Sequence, residues 1–358
     1  MPVQGALQRA RWHSAAGGHW HTVGVLESGE LFAWGYGGEG QLGHGGRGEA
    51  HAPHLLPRAV FGGSLIVQAA CGNTHTAAIT EEGSLWTWGD GGYGKLGHGD
   101  EGDCLEPTLL LSQNLGSERV VSVACGSWHT ACITEGGKLW TWGFGAFGKL
   151  GHGDESNRSA PALVQQEQFL DGGRVMMVSC GGAHTAAVVD SGAGGGLWSW
   201  GSSDHGQLGH GDTEKKLVPT LVSVQNVAVV SCGQAHTACV ADGGSLYTWG
   251  WGEQGQLGHN DKRDRNSPGL IAPQKLGGQR MLMVDCGYAH TAAVSTNGDL
   301  WTWGINDDAQ LGQDDTHSRM VPTPIQAQFG GGRVIDASCG DFHTVAIVEG
   351  GGLWTWGR

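Results

Sequence analysis

One dipeptide sets the reading frame of this chain. His-Thr occurs at His21, His75, His129, His184, His236, His290 and His343, at intervals of 54, 54, 55, 52, 54 and 53 residues. Around it, each unit runs through an apolar strand, C-G-x-x-H-T, a second apolar strand and a Gly turn. It continues with L-W-T-W-G, G-x-L-G-H-G-D and a loop ending at Pro. The fullest copy is VVSVACGSWHTACITEGGKLWTWGFGAFGKLGHGD. Self-similarity at this period marks a small unit that cannot bury its apolar side alone and must stack on its neighbours.

The unit reads as three or four short strands. VVSVAC and HTACIT are rich in β-branched and small apolar residues, and EGGK is a hairpin turn. LWTWG alternates with period two, so both Trp residues point to one side of the sheet. About fifty residues per four-stranded sheet is the size of a propeller blade. The expected fold is therefore all-β: a seven-bladed β-propeller, with residues 1–358 as one domain.

An open solenoid is the competitor, and the chain ends argue against it. The last copy stops at WTWGR and lacks G-x-L-G-H-G-D. The first begins with PVQGALQRARWHSAA, residues 2–16, which resembles PTLVSVQNVAVVS at 219–231. Together the two ends nearly complete one blade, so the ring is expected to close by pairing of N- and C-terminal segments.

Composition agrees with an ordered chain of tight turns. The 67 Gly would suggest disorder, but 16 Trp and 39% hydrophobic residues argue against it. The net charge of −14, with no run of Lys or Arg, speaks against direct nucleic-acid binding. The longest basic cluster, Lys262, Arg263 and Arg265, is interrupted by acids and reads as a solvated loop. No apolar run reaches 18 residues and the N-terminus has no apolar signal stretch, so no membrane association is expected. The default compartment is cytoplasm or nucleus, and the default state a monomer.

Several constellations imitate chemistry. Gly143, Gly145 and Gly148 fit G-x-G-x-x-G, and Gly143, Gly148 and Lys149 nearly fit a P-loop. Leu150 stands where the Mg²⁺-binding hydroxyl is needed, and the stretch recurs in other copies, so these glycines read as turn formers. Seven histidines invite a metal, but residues repeated once per blade stand apart around an axis and cannot converge on one ion. They read as structural hydrogen-bonders. Trp88, Trp142, Trp200, Trp249, Trp303 and Trp356 read as packing between blades. Each removes roughly 150–250 Å² from water, on the order of 4–6 kcal/mol before entropy. Cys71, Cys125, Cys180, Cys232, Cys286 and Cys339 recur four residues before each His and read as small buried thiols. Asp307, Asp308, Asp314 and Asp315 read as turn residues. No catalytic residue, metal or cofactor is expected.

What varies is the pair of residues between C-G and H-T. These turns should share one face around the mouth of the ring. Trp20, Trp128, Tyr288 and Phe342 would form an aromatic set there, with Asn73, Gln234 and Asp341 beside them, and such residues anchor interfaces.

C-G-x-x-H-T, L-W-T-W-G and G-x-L-G-H-G-D, seven times over, resemble the regulator of chromosome condensation repeat. The resemblance covers nearly the whole chain and implies a seven-bladed β-propeller. It implies a non-enzymatic protein-interaction module, such as a domain of a multidomain HECT ubiquitin ligase. The stop at WTWGR fits a domain excised from a larger protein. An alternative is nucleotide exchange on a Ran-like small GTPase, where acids on the turn face matter. Asp341 matches one such position, but the other six turns have none. A second alternative is an ultraviolet-B photoreceptor, which carries G-W-R-H-T in successive blades. Here Trp20 and Trp128 stand in non-adjacent copies without the arginine.

If the ends close the ring, removing residues 1–12 should lower the melting temperature. An unchanged melting curve would count against closure.

Overall fold

A computed structural model of the chain describes residues 10–165, 169, 172–190, 195–325 and 329–358. They form seven antiparallel sheets in chain order, six of four strands and one of three. In the third blade the strands are Val120–Cys125, His129–Thr134, Leu139–Gly143 and Arg158–Leu163. The fold is a seven-bladed β-propeller. The first strand of every blade lines a central channel, and the later strands step outward. The last blade contains Val334–Cys339, His343–Val348 and Gly352–Gly357. The expected partner for it, residues 2–9, lies outside the described residues. No helix among the described residues is long and apolar enough to cross a membrane.

Two glycines show why the repeat tolerates so little change. Gly89, which ends L-W-T-W-G, has φ +106°, and a Cβ there would meet the Thr74 carbonyl at 2.4 Å. Gly72 of C-G lies over an imidazole, where a Cβ would meet His75 Cε1 at 2.3 Å. Either position excludes a side chain because backbone and ring already occupy the space.

The core lies between blades rather than within one. Ala77, Ile79 and Leu85 of the second blade pack with Val120, Val123, Cys132 and Trp142 of the third. Six such clusters join successive blades from the first to the seventh. Trp88, Trp142, Trp200, Trp249 and Trp303 are fully buried in them.

A polar relay crosses every junction. His21, His75, His129, His184, His236 and His290 each place Nε2 2.8–3.0 Å from the Thr hydroxyl of the next blade. His343 does the same with Thr22, which joins the last blade to the first. At six junctions the Thr hydroxyl donates onward to a backbone carbonyl: Gln41, Lys95, Lys149, Gln207, Gln256 or Gln310. With its own proton committed, the hydroxyl must accept from histidine, so Nε2 carries the ring proton. The same six carbonyls also accept the indole N–H of Trp88, Trp142, Trp200, Trp249, Trp303 and Trp356. The ring is further closed by Trp12 N–H on the Gly351 carbonyl (3.1 Å) and Asp341 N–H on Gly18 (3.0 Å).

Burial keeps these histidines neutral. It pushes His21, His75, His184, His236 and His290 down to about 3, His343 to about 4 and His129 well below its ordinary value. Unfolded histidine protonates near pH 6.5. The stabilisation is therefore fully present above about pH 6.5 and lost as pH falls towards about 3, at about 1.4 kcal/mol per proton per pH unit. Two channel carboxyls oppose this: burial raises Asp336 to about 6 and raises Asp285. Two groups cannot offset seven. The denaturant midpoint should fall steeply between pH 7 and pH 5. His184→Ala should cost about 1–3 kcal/mol at pH 7.5 and flatten that slope by one proton. A midpoint independent of pH would refute the linkage.

Candidate functional site

The turns C-G-x-x-H-T and the Gly-rich loops after L-W-T-W-G emerge at the same end of the ring. A backbone hydrogen bond ties each pair together. The amides of Tyr36, Asp90, Phe144, Ser202, Trp251, Ile305 and Arg358 donate to the carbonyls of Trp20, Thr74, Trp128, Ala183, Ala235, Ala289 and Phe342. The face therefore consists of two variable positions per blade held at one fixed spacing.

The first variable residue of six of the seven turns lines the channel, Tyr288 being the exception. His19, Asn73, Ser127, Gln234 and Asp341 border the channel mouth. Ser127 Oγ donates to Gln234 Oε1 across it (3.3 Å). Gln234 therefore braces the mouth. Below lies a cavity of about 330 Å³ lined by small residues, cysteines, Asp285 and Asp336. Asp285 accepts from Ser231 Oγ and from Cys339 N–H, both at 2.7 Å. Among the described residues no three metal-ligating side chains come together, and the nine cysteines are free thiols. Asp315 accepts from Asn306, His317 N–H and Arg319 and shapes its loop.

The aromatic residues fall into two groups. One is a continuous chain. Tyr36 meets Trp20 edge-on (5.7 Å), Trp20 meets His19 (4.2 Å) and His19 meets Phe342 (5.4 Å). Phe342 stacks on Tyr288 (5.6 Å), Tyr288 meets Trp251 (6.1 Å) and Trp251 meets His205 (5.9 Å). His19 also bonds Asp341 through Nδ1. The second group, in blades two and three, holds Trp128 against Tyr93 (6.0 Å) and Tyr93 against Phe144 (4.5 Å). Trp20 and Trp128 are exposed, while Tyr288, Phe342, Asn73, Gln234 and Asp341 are half-buried.

Tyr36, Tyr93, Phe144, Phe147 and Trp251 escape a reading centred on C-G-x-x-H-T. Their signal was available: they are the variable letters inside the Gly loop, where glycine draws attention to the turn alone. Tyr93 and Phe147 are exposed and adopt left-handed backbone with φ 60° and 65°. Non-glycine residues there cost of order 1–3 kcal/mol.

Two lysines lie beneath the second group. Lys95 is fully buried, with Nζ 2.6 Å from Asp90 and 5.5 Å from the Trp128 ring. Burial lowers its pKa despite Asp90. Lys149 is 99% buried and has no carboxylate partner among the described residues; its ammonium lies 4.1 Å from the Phe144 ring. Burial pushes it down to about 8. Gln41, Gln207, Gln256 and Gln310 hold this position in other blades, each with Oε1 accepting a backbone N–H.

A closed ring of seven His-Thr junctions, with the C-G-x-x-H-T turns and Gly loops at one end, defines a seven-bladed propeller. The RCC1-like domain family matches residues 1–222 and 111–358, and the chain belongs to it. It is 35% identical over 340 residues to the ultraviolet-B receptor UVR8 of Arabidopsis thaliana, covering 94% of this chain and 63% of that protein. It is 35% identical over 348 residues to the human E3 ubiquitin-protein ligase HERC2, covering 95% of this chain and 7% of that protein. The chain thus spans less than two thirds of either relative. Among solved structures, human WBSCR16 superposes with TM-score 0.83 at 26% identity, over 95% of this chain and 88% of that one. Prp20p of Saccharomyces cerevisiae, described with its binding to Gsp1p and histones, gives TM-score 0.80 at 22% identity, over 94% and 82%. That second likeness speaks to the fold alone.

Lys149→Gln should be stabilising at pH 7 by on the order of 1 kcal/mol, because the buried ammonium is costly and the Phe144 ring offsets it only in part. A lysine with a lowered folded pKa regains stability as pH rises from about 8 to 10.5. The advantage of the variant should therefore shrink over that range. Melting curves at pH 7 and pH 10 test both signs.

Proposed function

We propose that the whole chain acts as one non-catalytic interaction module that binds a protein partner on its turn face. The observation that carries this reading is the aromatic chain from Tyr36 to His205, which crosses five blades around the channel mouth. Rigid aromatic surface of this kind supplies contact area at low entropic cost. Tyr93 and Phe147 support it, since both are exposed large aromatic residues held on left-handed backbone. The binding surface comprises Trp20, Trp128, Tyr288 and Phe342, with Asn73 and Asp341 between them. The relative HERC2 places such a domain in a ubiquitin ligase, and the same use fits here. Cytoplasm or nucleus is the compartment we assign, and monomer the state.

Exchange on a Ran-like GTPase is the weaker reading. It draws on the likeness to Prp20p and on Asp341, yet that carboxylate is already engaged by His19. An ultraviolet-receptor role is weaker still, because Trp20 and Trp128 belong to separate aromatic groups.

Phe342→Ala and Trp128→Ala should each weaken capture of a protein partner, with about 2 kcal/mol lost at an anchor residue. Melting temperature should change little for Trp128, which is solvent-facing. If both variants retain the full set of partners, the face is not the site. Faster GDP release from Ran, lost in Asp341→Asn, would move the conclusion to exchange.

A further inference from the structure

One buried charge under the turn face contributes nothing to the ring. The loop residue before Leu-Gly must deliver its backbone carbonyl to the next blade, and that carbonyl asks for no particular side chain. Glutamine at this place adds a bond within its own loop, its Oε1 accepting the amide two residues earlier. Lysine has no acceptor and cannot do this. In blade three that amide, of Phe147, goes to Glu155 Oε2 instead (3.3 Å).

Lys95 and Lys149 stand at equivalent places, yet only one is neutralised. Asp90 and Phe144 also correspond, since their amides donate to the carbonyls of Thr74 and Trp128. Asp90 puts a carboxylate 2.6 Å from Lys95 Nζ, and the Gly92 carbonyl is a second acceptor (3.2 Å). Phe144 instead puts a ring 4.1 Å from Lys149 Nζ, with the Phe147 ring at 5.6 Å. Lys149 is 99% buried and has no hydrogen bond or ion pair among the described residues. Glu155 of the same loop is engaged by Lys215. A buried ammonium without a counter-charge is costly, and ring faces offset that only in part. The cover differs as well. Trp128 lies over Lys95 from the next blade's turn. The same letter in blade four is Ala183, beside Gly182, and neither has a side chain long enough to cover Lys149. Phe147, which does approach it, is exposed.

We infer that the partner held on the turn face sets an aspartate or glutamate side chain on the Lys149 ammonium, entering over Gly182 and Ala183 between blades three and four. This rests on the reading of that face as a protein-binding surface and adds the chemistry of the partner. The partner's acid stands next to an apolar residue that packs on Phe147. A chain of net charge −14 thereby takes an acidic group through one desolvated cation rather than through a basic patch. Such a charge-assisted bond is stronger there than at an open surface.

The test selects phage-displayed random peptides on the full chain. Peptides whose binding is lost in Trp128→Ala should share one Asp or Glu. A synthetic consensus peptide should bind about tenfold more tightly than its Asn or Gln counterpart. That preference should vanish in Lys149→Gln, in Ala183→Trp, which covers the ammonium, and in Phe144→Asp, which supplies an acid from within as Asp90 does. Melting curves check that each variant is folded. In the full chain with ¹³C-labelled lysine, the acidic peptide should raise the Lys149 midpoint from about 8 by about one pH unit, and the amide peptide should leave it in place. Peptides that depend on Trp128 but share no acid, or bind equally well as the amide, would overturn this inference and leave the face standing as a binding surface. Selection that yields no peptide dependent on Trp128, Phe342 or Lys149 would overturn both.

Discussion

The structure depends on one four-part contact: histidine of one blade, threonine of the next, a backbone carbonyl from the first blade's loop, and an indole of the second. The carbonyl's two lone pairs are both used, by Thr76 and Trp88 at the first junction. Every buried polar atom on this path but one has a partner; the exception is the histidine Nδ1. That atom costs least as an unprotonated acceptor, which agrees with the tautomer the relay imposes. The motif letters that look chemical (His, Thr, Trp, Gly, Lys or Gln) are thus largely consumed in joining blades. The repeat is a device for lateral assembly, and each sheet is the by-product of its junctions.

The same contact frees the face. Because the histidine and threonine side chains turn between blades, the two residues before them are left out of the relay, although Ser127, Gly182 and Asp341 still donate a backbone N–H to the next blade. The loop spends its carbonyl inward, yet Tyr93 and Phe147 of the loops are exposed and Tyr36, Phe144 and Trp251 half-buried, while Ser202, Ser203 and Asn306 are buried. Composition at these places can drift without touching the relay. Blade four carries Gly182, Ala183 and Ser202 there, with His205 its one ring at these places, while blade three carries Trp128, Phe144 and Phe147 on the same frame.

Blade number and strand order were legible because His-Thr and L-W-T-W-G recur with a strict period. The turn face was legible because C-G-x-x-H-T varies in only two letters. The Gly-loop aromatics were not, since a pattern read for its glycines hides the residues between them. The burial of Lys95 and Lys149 was illegible for a physical reason. Sequence logic puts lysine in water, and only the structure shows that the residue before Leu-Gly must lie under the next blade to deliver its carbonyl.

In a ring of like units, stability is a sum of nearest-neighbour terms, and opening begins where one term is smallest. Six junctions combine an apolar cluster with a complete relay. The seventh has His343 on Thr22, two backbone bonds, the Gly17 amide on Ser338 Oγ (3.2 Å), the His19–Asp341 pair and the His19–Phe342 ring contact, with no such apolar cluster among the described residues. Gly17 stands there where every other blade has cysteine, and its Cα packs so closely that a Cβ would meet the Gly340 nitrogen at 2.5 Å. Close backbone approach has replaced side-chain burial. His19, Asp341 and Phe342 meet across this seam, so the channel mouth and the closure of the ring share the same side chains.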